Sequence, residues 1–277
     1  MPNERKFKLS LSHYSLCLKG VLVRETLRFI HQRERFIAAL VRPLVWLLIF
    51  AVGFRSALGV SIIPPYETYI PYEVYIVPGL IGMVQLFNGM QSSLSMVYDR
   101  EMGSMRTLLV SPLPRWYLLI CKLIAGTLVS ILQVYAFLLI AAVFGIMNPL
   151  MGYIWLLPAL LICGLMLGAF AMVLSSLIKQ LENFAGIMNF VIFPMLFLSS
   201  ALYPLWKIRE SSYLIYQICS LNPFNYAVEL IRFALYSQFN WEACLYTLIS
   251  LVFFLGVAIY AYDPARGMVG RKLTVSE

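Results

Sequence analysis

The residues able to do chemistry in this chain are few and scattered. Cys17, Cys121, Cys163, Cys219 and Cys244 are widely spaced, odd in number and form no CxxC pair, and only His13 and His31 could join them. That pattern supports neither a zinc site nor a disulfide framework. The chain also lacks GxxxxGK[ST], a helical HExxH and GxSxG, so no nucleotide loop, zincin helix or serine nucleophile is encoded. We expect no catalytic residue, no metal ion and no cofactor on this chain. Charge with a pattern occurs in two places instead. Tyr98–Trp116 reads YDREMGSMRTLLVSPLPRW, which sets Asp99, Arg100, Glu101, Arg106 and Arg115 beside Pro112 and Pro114. Upstream, Arg24, Arg28, His31 and Arg35 recur at i, i+4, i+7 and i+11, the spacing of one basic stripe on a helix. Chemistry with a substrate is absent; contact with a charged partner is indicated.

The elements that must carry these segments are apolar. Hydrophobic residues make up 61% of the 277 and charged residues 12%, with mean hydropathy +0.81. A soluble domain carries about twice that share of charge, so the reading is an integral membrane protein forming one bundle. Six segments approach the roughly 20 apolar residues that cross a bilayer: 36–58, 75–97, 116–144, 153–178, 184–203 and 243–262. None alternates with period two, which excludes a barrel. The expected fold is therefore all-α with six transmembrane helices. The net charge of +8 follows span flanks rather than a nucleic-acid surface. Lys and Arg crowd the first 35 residues, the second connection and the tail, so both termini are expected in the cytoplasm. The polar, basic stretch before the first span is not of the signal-peptide type. These boundaries divide the chain into a cytoplasmic N-terminus (1–35), a six-helix membrane domain (36–263) and a cytoplasmic tail (264–277).

Within that frame, Tyr14–Arg35 is expected to lie on the headgroups as an amphipathic helix. Asp99–Pro112 is expected to form a short helix along the cytoplasmic membrane face, started by its acids and stopped by its prolines. Residues 204–241 suit short interfacial or re-entrant helices on the outside. Gly164, Gly168, Ala171 and Ser175 form a small-residue ridge for close packing inside the bundle or for a dimer face. Pro194 should kink the fifth span. Tyr66, Tyr69, Tyr72 and Tyr75 read as an interfacial aromatic belt, with a row for stacking substrate as the alternative. No buried carboxylate relay is visible in the spans, which disfavours ion coupling.

The run DREMGSMRTLLVSPLPRWYLLICK resembles the first cytoplasmic loop of ABC-2 type (type V) ABC exporter permeases, nearest to the drug-resistance and nodulation-type subgroup. FPMLFLSSALYPLW (193–206), followed by Asn222-Pro223 and Arg232, is similar to that family's signature around the fifth span. The resemblance implies a coupling loop seated on a separate ABC ATPase subunit, carried here by Asp99, Arg100, Glu101, Gly103, Ser104, Arg106, Ser111 and Pro112. It implies a connecting helix with Arg24, Arg28, His31 and Arg35, and a gate or external signature at Pro194, Tyr203, Pro204, Trp206, Asn222 and Pro223. ATP and Mg would sit on the partner ATPase, and a second copy of this chain would complete the translocator in a bacterial cytoplasmic membrane. Where many members have Thr and then Glu after the loop glycine, this chain has Ser104 and Arg106. The competing functions are an ABC-associated membrane scaffold or assembly factor and an ion-coupled transporter.

Overall fold

The computed structural model describes residues 11–31, 33–53, 64–66, 70–101, 114–147, 149–178 and 181–261. Ten helices account for almost all of them: α1 (Leu11–His31), α2 (Arg33–Gly53), α3 (Tyr72–Glu101), α4 (Arg115–Val143), α5 (Leu150–Leu177), α6 (Leu181–Phe197), α7 (Leu205–Ser211), α8 (Tyr213–Leu221), α9 (Pro223–Leu235) and α10 (Trp241–Ala261). Among the described residues there is no β-strand.

Among the described residues, three helices are long and apolar enough to cross a membrane: Trp116–Val143, Leu150–Leu177 and Trp241–Ala261. At 1.5 Å rise per residue, even the 21-residue α10 reaches about 30 Å, the thickness of the hydrocarbon layer. Large apolar side chains cover its outer face, including Leu245, Ile249, Val252 and Phe253. A continuous exposed apolar surface of that kind is stable only against lipid or another protein. These three helices end within a turn of the boundaries expected for the third, fourth and sixth spans. α2 and α6 carry shorter apolar stretches, Ala39–Ile49 and Gly186–Phe197.

α5 is the hub, packed against α10, α3, α9 and α4. Small residues make this possible. A methyl group on Gly152 would overlap the backbone carbonyl of Leu235 in α9, and one on Gly168 would press Leu123 in α4. The Gly164–Gly168 ridge, with Ala171 and Ser175 also buried, therefore serves packing inside the bundle. α3 lies at the centre, flanked by α2, α4, α5, α6 and α9, with Leu80, Ile81, Leu86 and Met90 fully buried. Because it is covered on nearly every side, it can carry Gln85, Ser93 and Ser95 in buried positions, which explains why it is less apolar than α4, α5 and α10.

The structure corrects three boundaries. The helix expected for the fifth span stops at Phe197 rather than continuing to Tyr203; residues 198–203 form a turn, because the Ser199 hydroxyl bonds back to Leu196 and the backbone of Ser200 and Leu202 is bonded sideways to α9 and α3. Asp99, Arg100 and Glu101 belong to the last turn of α3 instead of starting a separate helix, since nothing before Gly103 interrupts helical sequence. Arg35 lies in α2, and only Arg24, Arg28 and His31 share α1.

Candidate functional site: a polar clasp around the 198–203 turn

The turn after α6 is held by side chains from two other helices. From α3, Tyr75 donates its hydroxyl to the Ser200 carbonyl at 3.0 Å, and Tyr72 donates to the Leu202 carbonyl. From α9, Asn225 Oδ1 accepts from Ser200 N at 2.9 Å, and Arg232 Nη2 donates to the same Ser200 carbonyl at 2.6 Å. Asn222 donates through Nδ2 to the carbonyls of Met195 and Leu198, at 2.8 and 2.7 Å. Those two carbonyls lie in the last turn of α6 and just beyond it, where acceptors have no intrahelical donor. Asn222 thus caps two helices. Its Oδ1 also accepts from Phe224 N at 3.0 Å as the N-cap of α9, with Pro223 following at the position where a missing N–H does no harm.

Arg232 is the electrostatic centre. Its side chain is 4% exposed and pairs with Glu229, one turn earlier on α9, while the guanidinium lies 4.3 Å from the Tyr75 ring centroid. Burial by itself would lower the pKa of Arg232, but Glu229, Tyr75 and Tyr66 more than reverse this, and it stays charged. Tyr66 packs edge-on against Tyr236 at 4.9 Å and near Tyr75 at 6.2 Å. The Tyr66 hydroxyl and Arg232 Nε are buried without a completed hydrogen bond, although the two side chains interact electrostatically. Tyr66, Tyr72 and Tyr75 are therefore core residues, 4%, 2% and 1% exposed, and not an interfacial belt. Tyr69 lies outside the described residues.

The other expected site residues divide clearly. Pro194 lies inside α6, where the 194–198 hydrogen bond of 2.8 Å is made. The Tyr203 hydroxyl donates to the Phe197 carbonyl, which ties off the same turn. Pro204 precedes α7, and Trp206 within it has Lys207 Nζ 5.5 Å from its ring. Asn222 and Pro223 sit in the clasp itself. Gly103, Ser104, Arg106, Ser111 and Pro112 lie outside the described residues, as do the side chains of Asp99, Arg100, Glu101 and Arg35. α1 packs on α4, fastened where Tyr117 donates to the Tyr14 carbonyl at 2.6 Å and their rings meet edge-on at 4.9 Å. On α1, Arg24 and His31 are exposed and Arg28 is half-buried, while Leu16, Val23, Leu27 and Ile30 face outward, a second apolar face suited to lipid.

The sequence reading missed Tyr72, Tyr75, Asn225 and Glu229. The i, i+3 spacing of Glu229 and Arg232 was a legible signal, because opposite charges so placed face each other on a helix. The tyrosines gave none, since their partners lie 125 and 130 residues away.

A multi-pass helical membrane protein in which the turn after α6 is clasped by α3 and α9 is the class defined here. Residues 17–236 match the ABC-2 type transporter family, and the chain belongs to it. The "Putative transport permease ycf38" of Pyropia yezoensis is 28% identical over 229 residues, covering 81% of this chain and 75% of that one. Its counterpart in Cyanophora paradoxa is 29% identical over 251 residues, 86% of this chain and 81% of the other. The "Probable multidrug ABC transporter permease YbhR" of Escherichia coli K12 is 32% identical over 142 residues, half of this chain and 38% of that protein. The chain is thus a transport permease by family.

Proposed function

We propose that this chain is the membrane subunit of an ATP-driven exporter whose energy comes from a separate ABC ATPase with its own bound ATP and Mg. Two copies of the chain would form the translocator, each with six spans and both termini in the cytoplasm of a bacterium. α2, α3, α4, α5, α6 and α10 would be those spans, with α7–α9 on the outer side. The observation that carries the reading is the length and placement of α3. It is a single 30-residue helix, about 45 Å long at helical rise. One end holds the clasp through Tyr72 and Tyr75, and the other ends at Glu101, where the expected coupling loop begins. A packed helix transmits displacement as a rigid element, so force on residues 99–112 would reach the 198–203 turn.

α1 supports the same reading at the opposite end. It is fixed to the start of α4 through Tyr14 and Tyr117, next to where the coupling loop re-enters the bundle. Arg24 and Arg28 on α1 would meet anionic lipid or the acidic surface of the ATPase. The clasp would hold the outer end of the path shut until ATP-driven movement of α3 relaxes it.

The test is reconstitution with the ATPase. Replacing Gly103 and Ser104 together by Trp should abolish coupled ATP hydrolysis and transport while the variant melts like the wild type. Full transport by that variant would overturn the coupling assignment. Failure to recover any ATPase with the wild-type chain would overturn the exporter reading itself.

A further inference from the structure

Two buried polar side chains with an atom lacking a partner line one cleft, between α3, α4 and α5. Gln85 and Ser93 are each 1% exposed, and both line it. Gln85 Nε2 is satisfied by the Leu160 carbonyl at 2.8 Å, but Gln85 Oε1 and Ser93 Oγ have no hydrogen-bond partner. Across the cleft stand Thr127 and Ser130. Both hydroxyls donate back into α4, to Leu123 at 2.9 Å and Thr127 at 2.7 Å, so what they present to the cleft is acceptor lone pairs. The lining therefore offers acceptors from Gln85, Thr127 and Ser130 beside the hydroxyls of Ser92 and Ser93, and it contains no charged side chain.

We infer that this cleft is a hydration site inside the membrane bundle, where an ordered water donates to Gln85 Oε1 or pairs with the Ser93 hydroxyl, which can both donate and accept. Leaving a buried acceptor unpaired costs about 1–3 kcal/mol, and within a bilayer no bulk solvent relieves it. A water molecule supplies two donors and no net charge, which suits this set of groups. A cation would enter without a counter-charge, at far greater cost. The cavity between the helices measures about 10 Å³, the room of about one water molecule. A drug-sized ligand needs a pocket of about 300 Å³ or more, so the site is not a substrate pocket. Gln85 and Ser93 lie eight residues apart on α3, about 12 Å along its axis, so one water serves either group but does not bridge the two.

The consequence for motion rests on the exporter reading above. Gly89, Gly126, Gly164 and Gly168 also line the cleft, so α3 passes α4 and α5 along a seam of small residues. Water can follow a shifted acceptor, whereas a fixed side-chain donor would be left behind. The seam is a joint along which α3 can move without stranding its polar groups.

Hydroxyl-radical footprinting by X-ray pulses tests the hydration directly in the full chain reconstituted in lipid nanodiscs, without ATP, ATPase or substrate. Radicals made from a trapped water oxidise the side chain beside it even when a bulk scavenger is present. Met172 lines the cleft and is 4% exposed, while Met166 on the same helix is 0% exposed and lies away from it. Met172 should be oxidised several-fold faster than Met166, insensitively to scavenger and equally in sodium, potassium or choline chloride. S93A and Q85L together should bring Met172 down to the rate of Met166, and S93A alone, which keeps the Gln85–Leu160 bond, should bring it part of the way. Equal rates for the two methionines in the wild type would overturn the proposal. So would scavenger-sensitive labelling, which means bulk access, or labelling that depends on the cation, which means an ion in the cleft. None of these outcomes bears on whether the chain couples to an ATPase.

Discussion

Replacing Arg232 by Met removes the centre of the clasp while nearly preserving side-chain length. The loss comprises the ion pair to Glu229, the hydrogen bond to the Ser200 carbonyl and the contact with the Tyr75 ring. Breaking a buried ion pair from one side costs about 3–5 kcal/mol, chiefly because the remaining charge stays buried. Glu229 is 20% exposed and can recover some hydration, which sets the expectation near the lower end, about 3 kcal/mol. For a chain of this size each kcal/mol lowers Tm by roughly 2–4 °C, so R232M should melt about 6–12 °C below the wild type. The measurement is tryptophan-fluorescence melting in nanodiscs, with single and double variants compared. R232M/E229L should recover part of the loss, because it removes the stranded carboxylate as well. R232K should stay well below the wild type, since a lysine cannot reach Glu229 and Ser200 together as the planar fork does. A shift under about 2 °C for R232M, or strictly additive effects of R232M and E229L, would refute the claim that this pair holds the turn.

Three further substitutions follow from the geometry. Gly152→Ala places a methyl against the Leu235 carbonyl and should cost about 1–3 kcal/mol through overpacking, seen as a lower Tm; an unchanged Tm would mean that α5 and α9 separate freely. Asn222→Ala loses the α9 cap and the two donors to Met195 and Leu198 and should destabilise in melting experiments by about 1 kcal/mol or more, and Asn222→Asp, which keeps the cap but sets a buried carboxylate oxygen against those two carbonyls, should melt lower still. Arg24→Glu with Arg28→Glu should reduce recovery of the ATPase in co-purification and weaken binding to anionic liposomes, more so at low salt than at high; unchanged recovery and lipid binding would make the stripe a passive surface.

Some of this was legible without coordinates. α4, α5 and α10 were foreseen to within a turn, because a lipid-facing helix must be apolar along its whole length and so declares itself in the sequence. The small-residue ridge at Gly164 was also plain, since close packing needs absent side chains wherever the partner comes from. The end of α6 is not legible because the sequence stays apolar past Phe197 through to Trp206, and its stop depends on acceptors claimed by Tyr72, Tyr75, Asn222 and Arg232. The same tyrosines looked like an interfacial belt for the same reason: tyrosine serves both at the headgroups and wherever a buried hydroxyl finds a carbonyl.

The sequence by itself determined that this is an apolar helical bundle of the ABC-2 type family. Composition, the length of apolar runs and the spacing of Gly103, Pro112, Asn222 and Pro223 are local properties that need no partner to be read. Only the tertiary structure decided which polar groups meet. The Arg232–Ser200 bond, the double capping by Asn222 and the orphaned polar atoms of Gln85 and Ser93 arise where helices far apart in the chain cross. Inside a membrane bundle a polar group's energy depends on what lies opposite it, and that is set by packing rather than by its neighbours in sequence.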